Sequence, residues 1–461
     1  LLGCAAAREV VSMDPGSEPV IIAERHNRIR RLPMMEQIAA TRAVKDLVAA
    51  HDYLGAIQAR GASFGRMLEL FETMSTPPAE PATDSGSTPS STNRPKRVAI
   101  IHAGGLAPGM NTAARAAVRL GIDHDFTMLG VYGGFPGLLD GDVRELTWAD
   151  VEGWVGDGGA QLGTRREVPT IEQLYALGRA IELHEIDALL VIGGYNAYLS
   201  AYRLVTERDR YPAFQIPIVC VPASIDNNLP GSELSIGTDT ALNNAVAALD
   251  SIKLSAAASH RCFVAEVMGR KCGYLSLMSG LATGAEKVYL NEEGITLAGL
   301  AADSERMVES FRSGRILYLV IRNERASVNY TTDVLAHIFA EEGKGLYDVR
   351  EAILGHQQQG GSPTAFDRIM ATKLVAYSLE LLACALKRGE PTASYVGLVR
   401  GKVSDHPLDR MNDDLDRDHR RPRHQWWMGL RPAVGLVSQD VGTLTLQDVP
   451  DFGEAVDDAA S

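Results

Sequence analysis

The sequence predicts an α/β protein built on doubly wound, mostly parallel sheets with helices on both faces. Three observations carry that reading. Short apolar runs of strand length recur from residue 98 onward, and each ends in a glycine turn or a polar loop. Longer stretches with apolar residues at helical spacing lie between them. Buried strands alternating with helices indicate parallel sheets covered on both sides, and the chemistry-bearing motifs fall where such folds collect ligands, at the carboxyl ends of strands.

Taken in order, residues 34–73 read as helical, with Met35, Ile38, Val44, Leu47 and Val48 at helix spacing. Residues 77–96 crowd Pro, Ser, Thr, Gly and Asp together without a large apolar side chain and read as a linker. Beyond it, strand 98–101 leads into Gly104 and Gly105 and a helix through Val118, and strand 129–132 leads into Gly133 and Gly134. Strand 189–192 leads into Gly193 and Gly194, and strand 216–221 into the loop around Asp226. Further strands are expected at 263–267, 288–290 and 316–321, with helices at 240–258 and 366–386. A faint repeat links Cys4, Pro15 and strand 19–23 to Cys384, Pro391 and strand 394–399, which would make residues 1–76 the tail of an earlier homologous half.

Composition bounds the function. The chain has 461 residues, 45% hydrophobic and 22% charged, as in ordinary globular proteins. A net charge of -13 argues against nucleic acid or an anionic membrane as partner, so an anionic ligand must be held by local arginines. Five scattered cysteines fit a reducing, cytoplasmic setting better than a disulfide framework. No apolar run approaches the roughly 18 residues of a membrane span. Leu1 to Cys4 superficially resembles a lipoprotein processing site, but no basic or apolar leader stands before it and the first residue is not Met. The start reads instead as a helix cut in the middle, which makes the chain a fragment.

Several residue patterns carry chemistry. In the loop Ser224, Ile225, Asp226, Asn227, Asn228, a carboxylate beside hydroxyl and amide donors suits a general base toward a sugar hydroxyl, and equally suits an Asp/Asn turn or helix cap. Arg261 and Arg270 flank one short strand; guanidinium forks bind phosphate esters, and surface arginines are the plain alternative. Glu324 could accept bonds from ring hydroxyls, while Arg350 and His356 bracket a loop in which Gly355, Gly360 and Gly361 let backbone approach a ligand. The turns at Gly104, Gly105 and Gly193, Gly194 could cradle phosphate at helix N-termini, or serve geometry alone; neither offers a carboxylate to a metal. No cysteine and histidine spacing suits zinc, and Trp426 and Trp427 suit packing.

Together these residues resemble the phosphofructokinase family from Arg97 to about Leu436. The family's Gly-Gly-Asp-x-Pro-Gly-Met-Asn corresponds to Gly104 through Asn111, with Leu106 in place of the Asp. Gly-Thr-x-Arg corresponds to Gly163 through Arg166, and Gly-Gly-Asp-Gly-Ser/Thr to Gly193 through Ala197, with Tyr195 for the Asp. Thr-Ile-Asp-Asn-Asp corresponds to Ser224 through Asn228, with Asp226 at the base position and Asn228 for the second Asp. Gly-His-x-Gln-Arg-Gly-Gly corresponds to Gly355 through Gly361, with Gln359 for the Arg.

The resemblance implies two phosphofructokinase-like α/β subdomains and the C-terminal, regulatory half of the tandem, eukaryotic-type enzymes. Residues 1–76 would end the catalytic half, 77–96 connect the halves, 97–436 form the regulatory half, and 437–461 an acidic tail. The implied activity of the whole enzyme is ATP-dependent phosphorylation of fructose 6-phosphate in glycolysis. Mg²⁺ and ATP would serve the catalytic half, with no cofactor or metal expected in this one. Fructose 2,6-bisphosphate or fructose 6-phosphate would be held by Arg166, Ser224, Ile225, Asp226, Asn227, Asn228, Met268, Gly269, Arg270, Glu324, His356, Gln357, Gln358, Gln359 and Arg420. Arg261 and Arg350 would reach across an interface of a homo-oligomer, a tetramer in the family. The survival of Asp226 and Arg270 keeps open a kinase with another phosphoryl donor; a non-enzymatic sugar-phosphate sensor is the third alternative.

Overall fold

The computed structural model describes residues 2–14, 16–24, 29–78 and 94–438. Most of the expected linker, 79–93, and the tail from 439 lie outside the described residues. The strands in chain order are β1 (Val20–Glu24), β2 (Ile29–Pro33), β3 (Arg97–Ala103), β4 (Thr127–Val131), β5 (Val143–Glu145), β6 (Ala188–Gly193), β7 (Ile218–Pro222), β8 (Arg261–Val267), β9 (Lys287–Tyr289), β10 (Leu317–Asn323), β11 (Asp348–Ile353), β12 (Ala393–Val399) and β13 (Lys402–Pro407), followed by the two-residue pair β14 (Leu415–Asp416) and β15 (Arg421–Pro422).

Two larger sheets organise the chain. One has seven strands in the order β13-β12-β7-β6-β3-β4-β5, parallel except at its two edges. The other has four parallel strands in the order β11-β8-β10-β9. Side chains alternate across a strand, and the alternation sorts them between cores. Val98 and Ile100 of β3 enter a core shared by both sheets, while Ala99, Ile101 and Ala103 enter an outer core beneath the helices Leu174–Leu183 and Tyr195–Thr206. Ala265 and Val267 of β8 enter the same shared core, whereas Cys262 and Val264 face a third cluster with Leu335 and Phe339. At about 25 cal/mol per Å² of apolar surface removed from water, this common interior is what fixes one sheet against the other.

The shared core also holds the helix Ala365–Arg388, which packs on the helix Met110–Asp123 and on β7. This helix is long and apolar enough, by length and composition alone, to cross a membrane, although no uninterrupted apolar run in it reaches that length. Lys373 and Glu380 interrupt the apolar run, so only the average over the window reveals it. Half of that window is buried inside the protein.

The stretch 34–73 is helical as expected, in three pieces, Met34–Ala49, Tyr53–Ala59 and Ala62–Ser75. The breaks are local: His51 sits at φ 59°, the Asp52 carboxylate accepts from the Gly55 N–H at 2.9 Å, and Gly61 sits at φ 97°. Apolar periodicity persists through such a cap and conceals it. Met74 docks the last of these helices on the shared core, where its carbonyl accepts from the buried Arg119 guanidinium at 2.7 Å.

The repeat has a structural counterpart. The helix Leu2–Ser12 precedes the antiparallel hairpin β1–β2, in which Val20 faces Pro33. The helix Ala365–Arg388 precedes the antiparallel hairpin β12–β13, in which Ser394 faces Pro407.

Candidate functional site

The carboxyl ends of β3, β6 and β7 face those of β8, β10 and β11 across a cavity of about 820 Å³. Gly104 and Gly105, after β3, and Gly194, after β6, form its wall on the side of the larger sheet. Gly104 has φ 100°, and a Cβ there would stand 3.2 Å from the Gly194 nitrogen. Only glycine allows both the left-handed backbone and the close approach of the two turns. Arg166 lies beside them, a guanidinium nitrogen 3.6 Å from where a Gly105 Cβ would stand. The Asn196 side chain holds this segment by donating to the Arg166 carbonyl.

The loop after β7 brings Ser224, Ile225, Asp226 and Asn228 to the cavity. Asn227, at φ 51°, turns inward: its amide donates to the Glu233 carbonyl at 2.8 Å and accepts from the Ser235 N–H at 2.9 Å. It braces the loop and does not line the cavity, a correction to its expected contact role. Ser224 Oγ accepts from the Asp226 N–H and donates to Asn228 Oδ1, each at 3.3 Å, so the turn reading also holds for this loop.

Opposite, Met268 and Arg270 follow β8, and Glu324 follows β10. The Arg270 N–H donates to Glu324 Oε1 at 2.7 Å, and its Nε stands 3.8 Å from Asp226 Oδ2. Gly269, at φ 129° with a would-be Cβ 2.4 Å from the Cys272 carbonyl oxygen, allows the turn but lies off the wall. Burial pushes the Asp226 carboxyl up to about 6; Arg270 opposes the rise, Glu324 adds to it and Arg166 opposes it. Glu324 is fixed from behind by Arg322, 2% exposed, which pairs with Glu266 at 2.7 Å and donates to the Glu324 carbonyl at 3.2 Å.

After β11, His356 and Gln359 reach the cavity and bond each other at 2.8 Å. Gln358 is buried, accepting from the Met268 N–H at 3.3 Å, and Gln357 is exposed with its carbonyl bound by Asn244. Gln358 braces the turn through its side chain and Gln357 through its carbonyl, while His356 and Gln359, three apart on a short 3₁₀ turn, share the face toward the cavity. Gly193, the last residue of β6, lies under the wall, where a Cβ would meet the Ala103 carbonyl at 1.9 Å. Arg420 closes one end: its guanidinium lies 5.4 Å from the Tyr195 ring centroid, and its carbonyl accepts from Asn228 Nδ2 at 3.0 Å.

Arg261 and Arg350 lie elsewhere. Arg261 opens β8 and Arg350 is the third residue of β11, toward the amino ends of parallel strands whose carboxyl ends face the cavity. Both share Asp348, at 3.5 and 3.6 Å.

The cavity also takes Lys271, Asn291, Arg325, Val328, Arg417, Asp418 and His419, which the sequence reading missed. Adjacency to Arg270 and the basic run from Arg417 to Arg423 were the available signals. Six cationic side chains (Arg166, Arg270, Lys271, Arg325, Arg417, Arg420) line the same cavity as three carboxylates (Asp226, Glu324, Asp418). That excess suits an anion in a chain of net charge -13.

The positions where the family's catalytic halves bind Mg²⁺ and nucleotide do not suit a divalent cation here. Leu106 packs on the shared core, Tyr195 on the outer core, and Ala197 is fully buried. None supplies the oxygen anion that Mg²⁺ requires.

The fold and cavity define an α/β protein with two sheets closing on an arginine-lined cleft. The sequence model of the phosphofructokinase family matches residues 97–382. An ATP-dependent 6-phosphofructokinase of Dictyostelium discoideum is 40% identical over 94% of this chain and 50% of its own length. The platelet-type enzyme of Rattus norvegicus is 37% identical over 97% of this chain and 57% of its own. The structure of phosphofructokinase from Saccharomyces cerevisiae superposes with a TM-score of 0.87 at 32% identity, covering 95% of this chain and 59% of that one. The chain belongs to the phosphofructokinase family, and it spans about half the length of the curated relatives it matches.

Proposed function

We propose that this chain is the effector-binding half of an ATP-dependent 6-phosphofructokinase and that its cavity holds fructose 2,6-bisphosphate. The observation that carries the reading is the convergence of Arg166, Arg270 and Arg420 on one cavity whose nucleotide turns have Leu106, Tyr195 and Ala197 in place of acidic or metal-binding groups. In this reading residues 1–76 end the catalytic half, 77–96 link the halves, 97–436 form the effector half, and 437–461 are an acidic tail. The assembled cytoplasmic enzyme phosphorylates fructose 6-phosphate with Mg-ATP bound in the other half. Arg261 and Arg350, held by Asp348 away from this chain's cavity, serve the cavity of a neighbouring subunit in the oligomer. Calorimetric titration of the purified chain with fructose 2,6-bisphosphate, fructose 6-phosphate and Mg-ATP tests the proposal. Bisphosphate binding without Mg-ATP binding supports it, and tight Mg-ATP binding overturns it.

One observation favours a second reading. Asp226 and Arg270 stand together as a base and a phosphate-binding cation would. If the chain is a kinase with another donor, pyrophosphate is the donor to assay, and Asp226→Asn must abolish turnover.

A further inference from the structure

We infer that Tyr195 is the platform that positions Arg420 for the bound anion, so that the residue standing in the family's nucleotide loop has become part of the anion site. The inference rests on the proposed bisphosphate reading and goes beyond it.

Tyr195 is the first residue of the helix Tyr195–Thr206 and directly follows Gly194 in the wall. Its ring is partly buried against the outer core, which holds its position through the fold rather than through a ligand. The Arg420 guanidinium lies over it at 5.4 Å from the centroid, within the range of an attractive cation–π contact. The Arg420 backbone has the left-handed φ of 54°, an uncommon state for any residue but glycine. The Asn228 amide supports it by donating to the Arg420 carbonyl at 3.0 Å.

Arg420 is therefore gripped twice, at the backbone by the Asp226 loop and at the guanidinium by Tyr195. Without the ring, a long exposed side chain would spend most of its time in rotamers pointing to solvent, and an incoming anion would have to order it. An aromatic group at this position restricts Arg420 in advance. A carboxylate here would pair with Arg420 and compete with an anionic ligand for it.

The test is calorimetric titration of the purified chain with fructose 2,6-bisphosphate, using Tyr195→Phe, Tyr195→Leu, Arg420→Ala and the Tyr195→Leu/Arg420→Ala double variant. Leucine keeps apolar contact with the outer core and removes the π face, so melting temperatures near that of the parent show that the fold survives. Tyr195→Phe is expected to keep the affinity, whereas Tyr195→Leu weakens it about two- to fivefold, the size of an exposed cation–π contact. The double variant is expected to bind no more weakly than Arg420→Ala alone, because the ring acts only through the guanidinium. Parent-like affinity in Tyr195→Leu, or additive losses in the double variant, overturns the inference and leaves the proposed function standing. Failure of the parent chain to bind the bisphosphate overturns both.

Discussion

Replacing Asp226 with asparagine should stabilise the folded protein, and by an amount that depends on pH. The carboxyl is pushed from 3.8 up to about 6 because burial disfavours its ionised form by more than Arg270 and Arg166 favour it. Two pKa units correspond to about 3 kcal/mol. Between about pH 4 and 6 the folded chain keeps a proton that the unfolded chain has released. Native stability therefore falls as pH rises through that window and stays lowered above it. Asparagine cannot ionise and escapes this cost. The variant should gain about 3 kcal/mol at pH 8 and about half of that at pH 5. Unfolding entropy scales with chain length, so for 461 residues each kcal/mol moves the melting temperature by roughly 1 °C. Scanning calorimetry of both proteins from pH 5 to 8 should show a gap of about 3 °C closing to about half as pH falls. A gap that does not change with pH, or a variant that melts below the parent at pH 8, refutes the assignment of a strained carboxylate to Asp226. The same substitution should tighten bisphosphate binding by removing a negative charge from the cavity.

Three further substitutions follow from buried polar groups and backbone. Arg322→Met should destabilise by about 3–5 kcal/mol, because Glu266 is left as an unpaired partly buried charge; a denaturant melt close to the parent's would contradict this. Asp367→Ala should cost about 3 kcal/mol or more, since the Gly237 N–H, the Thr240 N–H and the Thr240 hydroxyl lose their common acceptor. Asparagine at 367 should restore part of that loss in the same melt. Gly104→Ala should cost about 1–3 kcal/mol through its φ of 100° and push the two glycine turns apart; equal stability in thermal melts would show that the turns are not in contact in solution.

The parts of the fold legible in the sequence were those set by local pattern. β3, β6, β7 and β8 are apolar because both faces are covered, and their strand runs fell within two residues of the observed bounds. β11 escaped notice because Asp348, Arg350 and Glu351 break the apolar run on an exposed edge strand. β13 escaped for the same reason, an edge strand carrying Lys402, Asp405 and His406. In the site, Ser224, Asp226, Arg270 and His356 were found because glycines and polar loops at strand ends mark ligand-facing turns. Arg325 shares the loop after β10 with Glu324 and was legible by the same mark, whereas Arg417 has only the basic run around it and reaches the cavity through a segment far along the chain. Asn227 and Gln358 have residue types suited to contact, yet their side chains are spent on bracing the turns that others project from.

The two proline-ended hairpins offer a built-in comparison of local opening. In both, a helix leads into an antiparallel pair with the same kind of register. β12 also pairs with β7, so its ladder belongs to a sheet of seven strands, whereas β1–β2 pairs with no third strand among the described residues. A lone ribbon is marginal on its own, and amides that open locally exchange with solvent without waiting for global unfolding. The amides of Ile22 and Ala23 should therefore exchange with deuterium far sooner than those of Tyr395 and Val396. Matching motifs in one molecule would thus read out how much protection a strand draws from its own hairpin and how much from its neighbour.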